Sequence, residues 1–542
     1  MALEFEPRSD EVGRTRRYCA TGEWTDDTLG TILAAGFLNS PHQVVSFRSQ
    51  VRPWRGTYTD VAEYARRVAG GLRAAGVQPG DPVAFHAPNW LETAVTFWAV
   101  AFLGAVPVPI VHFYGTKETE FILQQSKTKI LITADEFGPI DFLSNLDQIR
   151  PRLNNLEQIF VIGNNVPTYA QPFSALLESD PVGGPQPADP GGPALVGYTS
   201  GTTADPKGVI HSHRSIGFEI RQLSGLNASG DRPLLVGAPV GHAIGMLAAL
   251  LLPIYGGNAV HLIDKWEPPM VLAAMLEDGV ASGSGSTVFL TSLFDHPDFT
   301  PAHAEMMTFI GLGGSPVPTA VGERAETLGI STVRGYGSTE HPSISCCRHS
   351  EDRIKRLTTD GRPMEGVEIE LRTDEGRLAE PGEPGAIWSR GPDCFLGYTD
   401  FDLTRAAIDG EGYFDTGDIG VVDEAGFLTI VDRKKDVIIR GGENVSAAEV
   451  ENILLGMPGV AEVAVVAAPD ERLGEHGYAF IRMVPNAGSV PDLAAVQRHL
   501  AASGLAKPKW PEEVGSIEEF PRTPSGKVQK FLLRQRLRDR SL

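Results

Sequence analysis

Two hydrophobic periods alternate along the first third of the chain, and each predicts a different element. In "VAEYARRVAGGLRAAG" (residues 61–76) apolar positions recur every three or four residues, the spacing of a helix with one buried face. The short apolar runs "DPVAFHAP", "KILITA" and "EQIFVIG", bounded by turn residues, read as buried strands. Such alternation predicts an α/β architecture. The uncharged run 93–111, "TAVTFWAVAFLGAVPVPIV", has the length of a membrane span. Gly104, Pro107 and Pro109 divide it into a helix followed by a short buried strand, so no transmembrane segment is expected.

Two later stretches change the pattern. Residues 181–193, "PVGGPQPADPGGP", read as a loop between subdomains or a plain surface loop. At 428–454, "LTIVDRKKDVIIRGGENVSAAEVENIL", a strand gives way to a basic cluster, a glycine pair and a helix capped by Ser446. Beyond it, "VAEVAVVAAPD", "GYAFIRMVP" and "DLAAVQRHLAASG" predict a compact α+β unit of about 110 residues.

Composition narrows the class. A chain of 542 residues exceeds one hydrophobic core, which predicts a large α/β unit and at least one further domain. The net charge of −21 argues against non-specific binding of nucleic acid or of an anionic membrane surface. Cys19, Cys346, Cys347 and Cys394 show no CxxC spacing, so neither a disulfide framework nor a zinc site is expected. The acidic start "MALEFEPRSDEVGR" lacks the apolar core of a secretory signal and the arginine-rich character of a transit peptide. A cytoplasmic, reducing location is the expectation.

The candidate chemistry begins at "GYTSGTTADPKGVIHSH" (197–213). Gly201 permits close backbone approach, Thr199, Ser200, Thr202 and Thr203 offer hydroxyls, and Lys207 adds a charge able to reach an outer phosphate. The spacing is not that of a P-loop, because Pro206 and Gly208 flank the lysine. By itself the stretch is either a phosphate cradle or a flexible surface turn. "GYGSTE" (335–340) places a permissive glycine, hydroxyls and a carboxylate together, which suits a nucleotide phosphate held through Mg²⁺. In "YFDTGD" (413–418), Asp418 follows a tight turn and can accept both hydroxyls of a ribose. Either, taken singly, is more often a turn.

In order, "YTSGTTADPKG", "GLGGSPVP", "GYGSTE", "YFDTGD", "VDRKKDVIIRGGENVSAAEVE" and "RTPSGKVQK" resemble the adenylate-forming superfamily of acyl- and aryl-CoA ligases, carrier-protein-charging adenylation domains and beetle luciferases. The resemblance covers roughly residues 15 to 537. It implies an α/β fold with a large multi-subdomain N-terminal domain, 1–431, a hinge at 432–436 and a small mobile α+β C-terminal domain, 437–542. It further implies that ATP and a carboxylic acid give an acyl-adenylate, which a thiol then resolves, with ATP, Mg²⁺ and coenzyme A as cofactor and co-substrates.

By position, the resemblance assigns Thr199 to Thr203 and Lys207 to the β- and γ-phosphates, Thr339 to the α-phosphate and Glu340 to Mg²⁺. Gly313, Gly314, Ser315 and Pro316 would lie along the adenine and the acyl group, Tyr336 beside Gly337 would stack on the base, and Asp418 and Arg433 would grip the ribose. Lys527 matches the catalytic lysine of the first step, and Lys435 matches the hinge. Rotation about the hinge would exchange Lys527 for Arg440 to Val445, where Gly441, Gly442 and Glu443 would let pantetheine pass close to the backbone.

The acid wall implied by His242, Ala243, Ile244, Gly245 and Met246 is largely apolar, which fits a hydrophobic fatty, alicyclic or aryl acid. His242 either contacts the acid or packs structurally. Gly241 stands where relatives often carry an aromatic residue, and Asp205 puts a negative charge within the phosphate loop. The expected activity is an AMP-forming acid:CoA ligase. The nearest rival loads a carrier-protein phosphopantetheine, and remoter ones are a luciferase-like oxygenation and a non-catalytic acyl-nucleotide binding protein. A homodimer is compatible with the sequence and not fixed by it.

Overall fold

The computed structural model describes residues 5, 11–199, 206–226, 232–315, 317–440, 443–470, 472–485, 487–522 and 527–540. Of the residues named above, Ser200, Gly201, Thr202, Thr203, Asp205, Pro316, Gly441, Gly442 and the Glu443 side chain lie outside this set.

The first layer is a parallel sheet in the order Val106–Ile110, Pro82–His86, Ile130–Ala134, Gln158–Ile162, Gln171–Pro172. The first four of these strands are almost wholly buried, which is why they read as unbroken apolar runs. Pro107 and Pro109 sit on the edge strand, where missing N–H donors break no ladder within the sheet. The helix Leu91–Phe102 precedes that strand and is buried on nearly every side, so the long apolar run is core rather than membrane span. Helix Tyr58–Ala74 covers the same core with Val61, Ala65, Val68, Ala69 and Leu72. A reciprocal cap starts it: Thr57 Oγ1 accepts from Asp60 N–H, and the Asp60 carboxylate accepts from Thr57 N–H at 2.8 Å.

A second sheet pairs Leu235–Val236, Val260–Ile263 and Val44–Arg48 in parallel, with Trp54–Thr57 antiparallel at the edge. Three further sheets carry the site. Pro193–Thr199, Lys207–Ser212 and Gly397–Tyr398 are antiparallel, with Thr199 opposite Lys207. Phe309–Gly313 runs parallel to Ser331–Tyr336, with Gly313 opposite Gly335. Phe414–Val422 and Leu428–Arg433 are antiparallel, with Asp418 opposite Arg433.

After Arg433 the chain turns and enters a separate sheet in the order Glu443–Val445, Ile438–Arg440, Gly474–Met483, Val460–Asp470, with Glu513–Ser516 also pairing with Gly474–Met483. Helices Ala447–Leu454 and Leu493–Ala502 cover one face through Val450, Leu454, Val496 and Leu500. Helix Lys530–Arg540 covers the other through Leu533 and Leu537. Ser446 caps its helix by accepting from Glu449 N–H, and its hydroxyl donates to Val431 O at 3.1 Å, across the turn. Among the described residues no helix is long and apolar enough to cross a membrane.

Candidate functional site

Parallel strands end where ligands collect in open α/β sheets, and two such ends lie side by side. Gly314 follows one, and the 337–340 loop follows the other. The loop is held from several directions. A Cβ on Gly337 would lie 1.9 Å from Pro342 O, so only glycine fits there. Ser338 N–H donates to His341 O at 2.9 Å, and His211 Nε2 donates to Thr339 O at 2.7 Å. A Cβ on Gly197 would stand 3.2 Å from Thr339 Cγ2, which places Thr339 against the strand that leads into the 200–205 segment.

Beneath the loop lies a buried polar cluster. His341 bonds Asp393 Oδ1 at 3.1 Å and Ser389 Oγ at 2.8 Å, and Ser343 Oγ donates to Glu219 Oε1 at 2.7 Å. Burial opposes charge on His341, but the Asp393 carboxylate outweighs it and raises the pKa to about 10. Burial and then Asp393 push Glu219 up to about 8.

Both key carboxylates are anchored by a tyrosine. Tyr398 Oη donates to Glu340 Oε1 at 2.7 Å, and the Lys207 ammonium lies 5.2 Å from the centre of the same ring. Lys207 and Glu340 therefore share one support. Tyr336 Oη donates to Asp418 Oδ2 at 2.7 Å, while Arg433 Nε lies 3.2 Å from Asp418 Oδ1. Burial and the Asp418 charge hold the Tyr336 phenol well above its ordinary pKa, so it remains a donor. Tyr336 is thus tied by its hydroxyl to the candidate ribose carboxylate, a link the sequence reading does not contain.

Lys527 comes to this place from the C-terminal unit. Desolvation, then the positive charge of Arg433, push its pKa down to about 8, against the pull of Asp418 and Glu340. His242 is close enough to feel the same lysine: desolvation first, and Lys527 second, lower its pKa to about 4, so it is neutral at pH 7. The charges of Arg433, Asp418 and Glu340 thus act on Lys527, and that of Lys527 acts on His242, although His242 and Lys527 stand 285 positions apart in the chain. Lys435 occupies the turn between strands Leu428–Arg433 and Ile438–Arg440.

His242 immediately precedes the short helix Ala243–Met246, its carbonyl accepting from Met246 N–H at 2.9 Å, and the helix continues into a π-helical turn, Leu247–Leu251. Gly241 has no aromatic side chain for a steric reason. A Cβ there would meet Val111 Cα at 2.9 Å and Ile110 O at 3.0 Å, so the end of the edge strand fills that room. A Cβ on Gly314, whose φ is +72°, would lie 2.8 Å from Ile244 Cδ1. Ser315 Oγ lies 3.3 Å from Ser286 Oγ.

Sequence reasoning missed Tyr398, His211 and Asp393. His211 lies inside the stretch quoted for its phosphate-loop character, but no local spacing reports its bond to Thr339. Tyr398 lies in no motif, and its partner Glu340 is 58 residues away.

The AMP-binding enzyme model matches residues 41–399, and the AMP-binding enzyme C-terminal domain model matches residues 449–527. The chain belongs to the AMP-binding enzyme family. It is 33% identical to the medium-chain fatty-acid–CoA ligase of Escherichia coli K12 over 529 residues, covering 96% of this chain and 92% of that protein. A Rhodococcus jostii RHA1 CoA ligase, named for a propanoyl group on a methyl-dioxo-octahydroindenyl ring system, is 32% identical and covers 89% of this chain and 94% of its own. Among solved structures, the anthranilate CoA ligase AuaEII in complex with anthranoyl-AMP superposes with a TM-score of 0.85 at 25% identity, covering 95% of this chain and 98% of that one.

Proposed function

We propose that this protein is an ATP-dependent ligase that joins a hydrophobic carboxylic acid to coenzyme A. The observation that carries the reading is the pair of preset carboxylates, Glu340 held by Tyr398 and Asp418 held by Tyr336 and Arg433, whose charges act on Lys527 of the C-terminal unit. In the first half-reaction a carboxylate oxygen attacks the α-phosphorus of ATP and pyrophosphate leaves. Both reactants are anions, so fixed positive charge and positioning supply most of the rate. Lys527 neutralises the acid and the α-phosphate, Thr339 donates to the α-phosphate, and Lys207 orients the departing pyrophosphate with Thr199 to Thr203. Asp418 accepts the ribose hydroxyls, with Arg433 and Tyr336 holding its carboxylate.

The donor set at the loop fits Mg²⁺, which takes one or two carboxylates, keeps several waters and prefers substrate phosphates to a protein cage. Glu340 is one buried carboxylate with an oxygen held by Tyr398, and the described residues contain no cluster of three or more His, Cys, Asp or Glu able to hold a metal. Glu340 with Thr339 would hold the ion, which neutralises phosphate charge when bound.

In the second half-reaction the thiol sulfur of coenzyme A attacks the acyl carbon, and AMP leaves. Lys527 must withdraw for this, so the domain division at 1–431, 432–436 and 437–542, with Lys435 as pivot, belongs to the proposal. Gly441, Gly442 and Glu443 then line the thiol path. A joint need for ATP and coenzyme A supports a cytoplasmic site of action.

The test is a panel of carboxylic acids assayed for AMP release with and without coenzyme A. Release that depends on both acid and coenzyme A, with formation of the free thioester, supports the reading. Adenylate formation without transfer to free coenzyme A favours the carrier-protein alternative, and no release with any acid favours a binding protein.

A further inference from the structure

Two ion pairs flank Lys435 and tie its neighbours to opposite units. Lys434 belongs to the N-terminal side: its N–H donates to Gly417 O at 3.0 Å, and its ammonium donates to both oxygens of Asp415 at 2.7 Å. Asp436 belongs to the C-terminal side. Its carboxylate accepts from Arg534 Nη1 at 2.7 Å, and Arg534 lies in helix Lys530–Arg540. The Arg534 and Asp436 side chains are only 15% and 13% exposed, against 37% for Lys434, so loss of one partner there strands a buried charge.

The same helix follows Lys527 in the chain. Val528 bridges to Arg522, and Gln529 N–H donates to Pro521 O at 2.7 Å, so the two residues between the lysine and the helix are fixed to the small unit. Lys530 Nζ lies 2.8 Å from Glu451 Oε1, and Leu533 and Leu537 pack on the sheet. From Val528 onward the unit is stiff. In the present arrangement Arg433 O accepts from Asp436 N–H at 2.9 Å and from Val437 N–H at 3.2 Å. These two bonds span Lys435, so a turn about that residue opens them, whereas the Arg534–Asp436 pair lies wholly beyond it and is carried along.

We propose that Asp436 and Arg534 are positioning residues for Lys527: their pair makes the residue after Lys435 part of the small unit, so that closure brings the lysine to one place. The inference rests on the ligase reading above, with Lys435 as its pivot. Without the pair the swivel spreads from Lys435 into Asp436 and Val437, each of which adds two soft backbone dihedrals. Lys527 then reaches the site over a range of positions, and a charge that must stand beside the reacting atoms loses its effect when misplaced. The thiol step asks the small unit for a path rather than for that charge, and so tolerates the spread better.

The experiment measures the half-reactions separately with octanoate and benzoate: pyrophosphate release from acid and ATP without coenzyme A, and thioester formation from supplied octanoyl-AMP or benzoyl-AMP with coenzyme A. Arg534→Met alone strands the Asp436 carboxylate and should lower the denaturant midpoint, whereas Asp436→Asn with Arg534→Met removes both charges and should recover most of it. The double variant is nevertheless expected to lose about tenfold or more in the first half-reaction, toward the roughly hundredfold cost of a misplacement of ~1 Å. Thioester formation should be largely spared. Arg534→Lys keeps the charge without the planar fork and should show the same bias at smaller size. An unchanged first half-reaction in the folded double variant overturns the inference, and so does equal loss in both half-reactions. If the double variant does not fold, an unbiased Arg534→Lys overturns it instead. Any of these results beside an active wild-type enzyme defeats only this inference. No AMP release by the wild-type enzyme with any acid of the panel defeats the ligase reading and this inference with it.

Discussion

The two carboxylates of the site and its lysine are held in opposite ways. Glu340 and Asp418 each accept a tyrosine hydroxyl at 2.7 Å, and the tyrosines sit on strands of the same large N-terminal region. Lys527 belongs to the C-terminal unit, whose chain enters it through a short turn at 434–436 and a side-chain bond from Ser446 to Val431. The first arrangement is preorganised: the dipoles are set before substrate arrives and need no reorganisation. In the mechanism proposed above the second is conditional, because the lysine serves the first half-reaction and the small unit then turns away.

The sharpest way to break this contrast is Lys527→Ala. Adenylate formation should fall about 10³-fold, the upper scale for removing a single group that stabilises transition-state charge, while thiolation of a supplied acyl-adenylate is largely spared. Equal loss in separately measured half-reactions would show that the lysine is not confined to one step. Next in size is Lys435→Pro, which freezes φ in the turn. Overall turnover should drop about a hundredfold, with unequal effects on the two half-reactions, as expected when a conformational step is blocked. Normal turnover of both steps would remove the hinge from that position.

A third prediction uses the lowered pKa of Lys527. Adenylation needs the charged amine, so kcat/KM for ATP should fall tenfold per pH unit above about 8, and Lys527→Arg should flatten that limb even where its rate is low. The stability sign is opposite to that of the rate. Between about 8 and the ordinary 10.5 the unfolded chain still binds the proton and the folded one does not, so this group makes stability rise with pH across that window. Denaturant midpoints measured at several pH values check it. The smallest effect is expected from Tyr398→Phe. Loss of the hydroxyl that holds Glu340 should reduce kcat about tenfold, the scale of one hydrogen bond to a charged group, with partial recovery at raised Mg²⁺. A change in coenzyme A dependence instead would place Tyr398 on the other half-reaction.

Local elements were largely legible. The apolar run at 93–111 does form a helix and an edge strand, the 61–76 pattern lies mostly in one helix, and Ser446 does cap the helix after the glycine pair. These depend on neighbours within a few residues, which periodicity and capping report. The site was legible as motifs, not as a set of contacts. Tyr336 reads as an aromatic for the base, yet its hydroxyl also holds Asp418, 82 residues later. Gly241 reads as a missing aromatic, and only the packing of Ile110 and Val111 explains it. Pairings between distant strands leave no trace in local spacing.

By itself the sequence determined the α/β class, the order of the motifs and the family they imply, because residue type and short-range spacing carry that information. Tertiary structure decided what supports what: Tyr398 between Lys207 and Glu340, His211 under Thr339, Ile244 over Gly314, and Lys527 brought to Asp418 from another unit. The physical reason is that charge stabilisation and pocket shape depend on distances through space, and those exist only after the sheets and the two units have packed.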